Sequence, residues 1–127
     1  MKRSAVAASV GAAALLLMRT APVAKAADAK AGQEIFSRCA ACHTVQKGGA
    51  NGLGPNLFGV VGRKAGSRPD FSYSAAMKNA GFTWTPQKLD AYIAHPAEVV
   101  PGNRMAFAGI PDAKQRADLI AYLGTLK

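Results

Sequence analysis

Between Lys47 and Asp70 the chain places seven glycines and two prolines, interleaved with Leu53, Leu57, Phe58, Val60 and Val61. Glycine at that density weakens both helix and strand, and proline removes a backbone donor, so the stretch is predicted to be irregular. An irregular segment of that length inside a compact domain either carries function or is disordered. Its apolar residues are too numerous for disorder. They need a surface to pack on. A large planar apolar group would supply one to a domain of about 100 residues whose own helices are few and short.

The helical signals lie on either side of this loop. A first helix is expected over about 28–43, with Asp28 as N-cap and Ala31, Ile35 and Phe36 on one face. A second runs from about 112 to the C-terminus: Asp112 with Gln115 resembles a capping box, and Leu119, Ile120, Tyr122, Leu123 and Leu126 form an apolar stripe. Two shorter helices are expected at 74–79, ended by Ala80-Gly81, and at 86–94, with Thr85 as N-cap, Pro86 at the first helical position and Pro96 as a stop. No strand pattern competes.

The first helix leads into Cys39-Ala40-Ala41-Cys42-His43. A structural disulfide across two intervening residues would close too short a loop to constrain the unfolded chain, which leaves dithiol redox chemistry or cofactor attachment. A thioredoxin-like dithiol would sit in a strand–helix context, and a zinc site would need a second Cys or His pair at ligand spacing. Neither is present. Cys-x-x-Cys-His is the attachment motif of c-type haem, because two thiols can add to two vinyl groups while the adjacent imidazole reaches the iron.

Met77, Met105 and His95 are the candidates for a second axial ligand. Met105 sits in Pro101-Gly102-Asn103-Arg104-Met105-Ala106-Phe107-Ala108-Gly109-Ile110, an irregular loop able to present a side chain. Met77 lies in a helical stretch, where packing is the usual role, and His95 stands before Pro96 at a helix end. Met105 is therefore the expected ligand, with His43 as its counterpart.

The first 26 residues read as an export signal: Lys2 and Arg3 precede an uncharged apolar run from Ala5 to Met18, and Ala24-Lys25-Ala26 has the small-x-small form of a cleavage site. Those 14 residues fall short of the roughly 20 that span a bilayer, so cleavage is favoured over a retained anchor. Residues 27–127 then form one domain. Removing Lys2, Arg3, Arg19 and Lys25 from 16 basic residues leaves 12 against 7 acidic ones, a net charge of +5. These charges are scattered singly, which argues against nucleic acid and for an acidic protein surface as partner.

Over the whole mature sequence the chain resembles the class I cytochrome c family, as a bacterial relative of the mitochondrial proteins. The resemblance rests on Cys39 to Thr44, Gly54-Pro55-Asn56-Leu57, Gly62-Arg63-Lys64, Phe71-Ser72-Tyr73, Thr83-Trp84, the 101–110 loop and Asp118-Leu119-Ile120-Ala121-Tyr122-Leu123. It implies an all-α fold in which the N- and C-terminal helices cross, and short helices and long loops wrap one covalent haem. It also implies that the Pro55 carbonyl accepts a hydrogen bond from His43, that Tyr73 and Trp84 bond haem propionates with Arg63 nearby, that Tyr92 lies close to the Met105 sulfur and Phe107 near the exposed haem edge. Gly32 and Phe36 would pack on Leu119 and Tyr122. Three positions depart from the family pattern. Asn103 stands at a propionate-bonding position where Thr is usual, Arg104 replaces Lys, and Met77 replaces Asn.

The function so implied is that of a soluble, monomeric, periplasmic electron carrier and not an enzyme. Its partners would be redox proteins such as a cytochrome bc complex, a terminal oxidase or a photosynthetic reaction centre. Docking would use a basic face around the haem edge, best represented by Arg38 and Arg104. A haem peroxidase or sensor would need an open sixth position and a positioned proton shuttle, and the sequence shows no distal acid–base pair. A bound subunit of a larger dehydrogenase would share the carrier's chemistry.

Overall fold

The computed structural model describes residues 26–127 together with Ala5, Ser9 and Gly11. The export signal expected at 1–26 otherwise lies outside the described residues. Among the described residues no helix is long and apolar enough to cross a membrane.

Among the described residues five short helices follow in order: α1 Ala29–Ile35, α2 Ala75–Lys78, α3 Pro86–Ala94, α4 Pro96–Val99 and α5 Ala113–Gly124, with a 3-10 turn Phe36–Arg38 continuing α1. Each of the three longest starts on a side-chain cap that occupies an otherwise orphaned backbone donor. Asp28 accepts from the amides of Lys30 and Ala31, Thr85 from that of Lys88, and Asp112 from that of Gln115.

The two terminal helices form the main packing unit. Gly32 is buried at their crossing, where a β-carbon would stand 1.9 Å from the Asp118 carbonyl oxygen, so the helices approach at a distance that only glycine permits. Next to it the Phe36 and Tyr122 rings lie 5.7 Å apart, and Leu119 and Leu123 are buried at 1% and 4% exposure. The backbone amide of Asp28 donates to Asp118 Oδ1 at 2.8 Å, and Lys114 also bonds this carboxylate, which fastens the start of α1 to α5.

Helix α3 buries Leu89, Tyr92 and Ile93 and is held to the start of α5 by Arg116, whose Nε donates to Asp90 at 2.7 Å. Pro96, expected only as a stop, also opens α4 at its first position, where the missing amide hydrogen costs nothing. The glycine-rich loop is tied down at two places. Gly59 donates to the Leu126 carbonyl, and an antiparallel bridge pairs Lys64 with Thr83, with further bonds from Gly62 to Trp84 and from Ala65 to Phe82. That bridge carries Val60, Ala65 and Trp84 into the core with Ile110, which is fully buried.

Candidate haem site

The turn after α1 stays helical: the His43 amide donates to the Cys39 carbonyl at 3.0 Å, and that of Cys42 to the same oxygen at 3.1 Å. Residues i, i+3 and i+4 of such a turn share a face, so Cys39, Cys42 and His43 point the same way. Both thiols are unpaired and half-buried, and burial pushes the Cys39 thiol upward while Arg38 draws it back.

His43 is fixed by the segment folded against it. The Gly54 amide donates to the Cys42 carbonyl and the Leu57 amide to the Thr44 carbonyl, which brings the chain alongside the imidazole. A β-carbon on Gly54 would stand 2.4 Å from His43 Cε1, so glycine makes the approach possible. The Pro55 carbonyl lies 2.8 Å from Nδ1. A carbonyl only accepts, so Nδ1 carries the proton and Nε2 keeps a free lone pair. Burial lowers the His43 pKa and keeps the ring neutral, against the opposing bond to Pro55 and with help from the Arg63 charge.

Asn56, almost fully buried, organises this loop. Its amide donates to Thr44 Oγ1 and the Gln46 carbonyl, both at 2.9 Å, while its Oδ1 accepts from the Phe58 amide. Neither Asn56 nor Gly54 was singled out by the residue-type reasoning above. The signal available was a lone amide side chain inside the apolar run Pro55-Asn56-Leu57-Phe58.

A second group of candidates surrounds Trp84. Its ring sits 4.8 Å from those of Phe82 and Tyr92. Trp84 and Tyr92 are 7% and 8% exposed, and neither the indole N–H nor the Tyr92 hydroxyl has a protein partner among the described residues. Burial pushes the Tyr92 pKa to about 12. The half-buried Arg63 donates to the carbonyls of Phe58 and Asn56 and forms no ion pair among the described residues. Tyr73 Oη accepts from the Arg68 amide at 3.3 Å, which leaves its own hydrogen to donate.

Met105 and Phe107 are half-buried against the core, in a loop closed by Ile110, whose amide donates to the Ile93 carbonyl. Asn103 bonds within that loop and to α4: Nδ2 to the carbonyls of Pro96 and Val100, and Oδ1 from the Met105 amide. Met77 packs on the core from α2, and His95 is exposed between α3 and α4.

This donor set fits c-type haem. Two unpaired thiols and an imidazole with a free Nε2 share one turn, and an unpaired cation, an indole N–H and a tyrosine hydroxyl supply the donors that carboxylates would need when removed from water.

The comparisons agree. A family model described as "Cytochrome c" matches residues 29–127. A "Cytochrome c homolog" from Bradyrhizobium diazoefficiens is 50% identical over 111 residues, covering 87% of this chain and 57% of that protein. A "Cytochrome c2" from Rhodomicrobium vannielii is 47% identical over 118 residues, covering 93% and 92%. The solved structure of cytochrome cH from Methylobacterium extorquens superposes with a TM-score of 0.73 at 46% identity, over 77% of this chain and 98% of that one.

The fold and the haem-fitting turn thus define an electron-transfer protein, not an enzyme. The chain belongs to the cytochrome c family and has one covalently attached haem c as its cofactor.

Proposed function

We propose that this chain shuttles single electrons between redox proteins, with Cys39 and Cys42 as the residues that would tether the haem and His43 and Met105 as those that would hold its iron. One observation carries the reading: the thiols and an imidazole with Nε2 free lie on one turn, with Pro55 holding the proton on Nδ1. When bound, haem supplies an iron that cycles between ferrous and ferric, and His–Met ligation favours a relatively oxidising potential.

The remaining work belongs to the chain. Pro55 orients the His43 ring and raises its basicity, as second partners of metal-binding histidines generally do. Arg63, Tyr73 and Trp84 provide hydrogen-bond donors for the propionates. Tyr92 and Phe107 help to exclude water around Met105, and exclusion of water disfavours the additional charge of the oxidised state. With His43 and Met105 both holding the iron, no position would be left for a substrate, which suits a carrier.

Residues 1–26 act as the cleaved export signal, and 27–127 work as a monomer in the periplasm, in keeping with the extracytoplasmic setting typical of the family. Arg38 and Arg104, both exposed, belong to a basic face that steers docking onto an acidic partner such as a cytochrome bc complex, a terminal oxidase or a photosynthetic reaction centre. Electron-transfer rates with that partner then fall as salt is raised.

The test is a redox-titrated visible spectrum of the holoprotein beside its Met105→Ala variant. Loss of the Met-to-iron charge-transfer band and a large fall in potential are expected. The same spectrum in both proteins would remove Met105 as ligand and return attention to Met77 and His95.

A further inference from the structure

The family resemblance places a propionate-bonding residue at position 103, but the hydrogen bonds of Asn103 run elsewhere. Its Nδ2 donates to the Val100 carbonyl at 2.9 Å and to the Pro96 carbonyl at 3.1 Å, and its Oδ1 accepts from the Met105 amide at 2.9 Å. An amide nitrogen has two hydrogens, and both are committed to carbonyls. A carboxylate accepts only, so Asn103 has no donor left to offer one.

The partners give the side chain another use. Val100 caps the single turn of α4 and Pro96 opens it. The Pro96 carbonyl already accepts from the Val100 amide and the Val100 carbonyl from the Asn103 backbone amide, and the Asn103 side chain adds a second bond to each while its Oδ1 holds the backbone of Met105. Gly102, at φ +85, makes the turn that lets the chain reverse from α4 into this position. On the far side the loop is fastened independently, by the Ile110 amide on the Ile93 carbonyl and by Gly109, where a β-carbon would stand 2.1 Å from the Ala94 carbonyl oxygen. Met105 therefore hangs between two anchors. At the near anchor the loop's own Asn103 supplies the side chain, whereas at the far one Arg116 of α5 donates to the Ile110 carbonyl at 2.9 Å.

We infer that Asn103 is the positioning residue of Met105, clamping the ligand loop to α4, and that it does not bond a propionate. This rests on Met105 being the axial ligand. The clamp limits how often the loop lifts Met105 away, which sets how readily an outside ligand competes. A Thr hydroxyl at this position has one hydrogen and could not hold both carbonyls. Each net hydrogen bond in such a clamp is worth roughly a factor of five in an opening equilibrium, so losing the set raises the open fraction about tenfold or more.

The experiment compares the wild-type holoprotein with Asn103→Ala and Asn103→Thr by imidazole titration of the oxidised form and by amide hydrogen exchange. In both variants imidazole binds about tenfold tighter or more, and the Met105 amide loses protection by a similar factor, while amides of α5 such as Leu119 exchange as before. A propionate-bonding role would instead have Asn103→Thr retain wild-type imidazole affinity, and that result overturns the inference. So does a Met105 amide already unprotected in the wild type, a measurement that needs no variant to fold. Amide protection reads the clamp whether or not Met105 binds iron. Failure of the ligand assignment shows separately, as a charge-transfer band absent from the wild type or surviving Met105→Ala.

Discussion

Gly54 lies against the imidazole of His43 so closely that a β-carbon on it would stand 2.4 Å from Cε1 and 2.8 Å from Nδ1. The ring cannot yield freely, because its Nδ1 is held by the Pro55 carbonyl from the same segment. The glycine is thus part of how the His43 ring is oriented, although it has no side chain to contribute.

Gly54→Ala is accordingly expected to force the ring away from Pro55 or to push the 52–57 segment outward. Overpacking of this kind costs about 1–3 kcal/mol. The holoprotein should show a lower potential and a more easily displaced axial ligand, as well as reduced stability. Redox titration beside thermal melting checks this, and a variant with wild-type potential would mean that the contact does not orient His43.

A pH effect is expected at the mouth of the glycine-rich loop. Arg68 donates from Nε and Nη2 to the two carboxylate oxygens of Asp70, at 3.1 and 2.9 Å, and holds that carboxyl below its ordinary value of 3.8. A depressed carboxyl pKa contributes stability that is fully present above the unfolded value and is lost as pH falls through the folded one. Asp70→Asn should therefore be slightly less stable than the wild type at neutral pH, with the difference closing as pH falls below 3.8 and the acid limb correspondingly flatter. The pair is exposed, so the difference should be small and should shrink in high salt. Denaturant midpoints along the acid limb, at low and high salt, make the check, and parallel curves would count against it.

How much of this could be read from the chain differs from residue to residue. Helix α3 was legible because Thr85, Pro86 and the Leu89, Tyr92, Ile93 face are all local signals. The reading of the first helix ran past the true end of α1 at Ile35, because a 3-10 turn and the cysteine turn extend the same apolar periodicity. Helix α4 was missed because Pro96 was read as a stop, and a proline suits the first position of a new helix equally well. The pairing of Lys64 with Thr83 is a single bridge and leaves no alternation to detect. At the site, the cysteine–histidine spacing advertises its chemistry. The bonds of Asn56 and Asn103 do not, since an amide side chain can donate and accept, and its partners are settled only once distant backbone has been placed.

Gly32 offers a test in which two effects of known sign compete. In a helix interior, replacing glycine by alanine gains about 1 kcal/mol by reducing the freedom of the unfolded chain. At Gly124, on the last turn of α5, a β-carbon meets nothing within 4 Å, so Gly124→Ala should show part of that gain. At Gly32 the added carbon would stand 1.9 Å from the carbonyl oxygen of Asp118 and 2.9 Å from Cβ of Tyr122. Backbone cannot rotate out of the way as a side chain can, so the helices must separate. Separation would strain the Asp28 bond to Asp118 and the contact between Phe36 and Tyr122. Together these outweigh the propensity gain, and Gly32→Ala is expected to lose about 2 kcal/mol or more while Gly124→Ala gains a few tenths. Denaturant unfolding of both holoproteins, followed by far-ultraviolet circular dichroism, measures the two shifts side by side. A Gly32→Ala protein as stable as Gly124→Ala would show that the terminal helices do not cross at this distance.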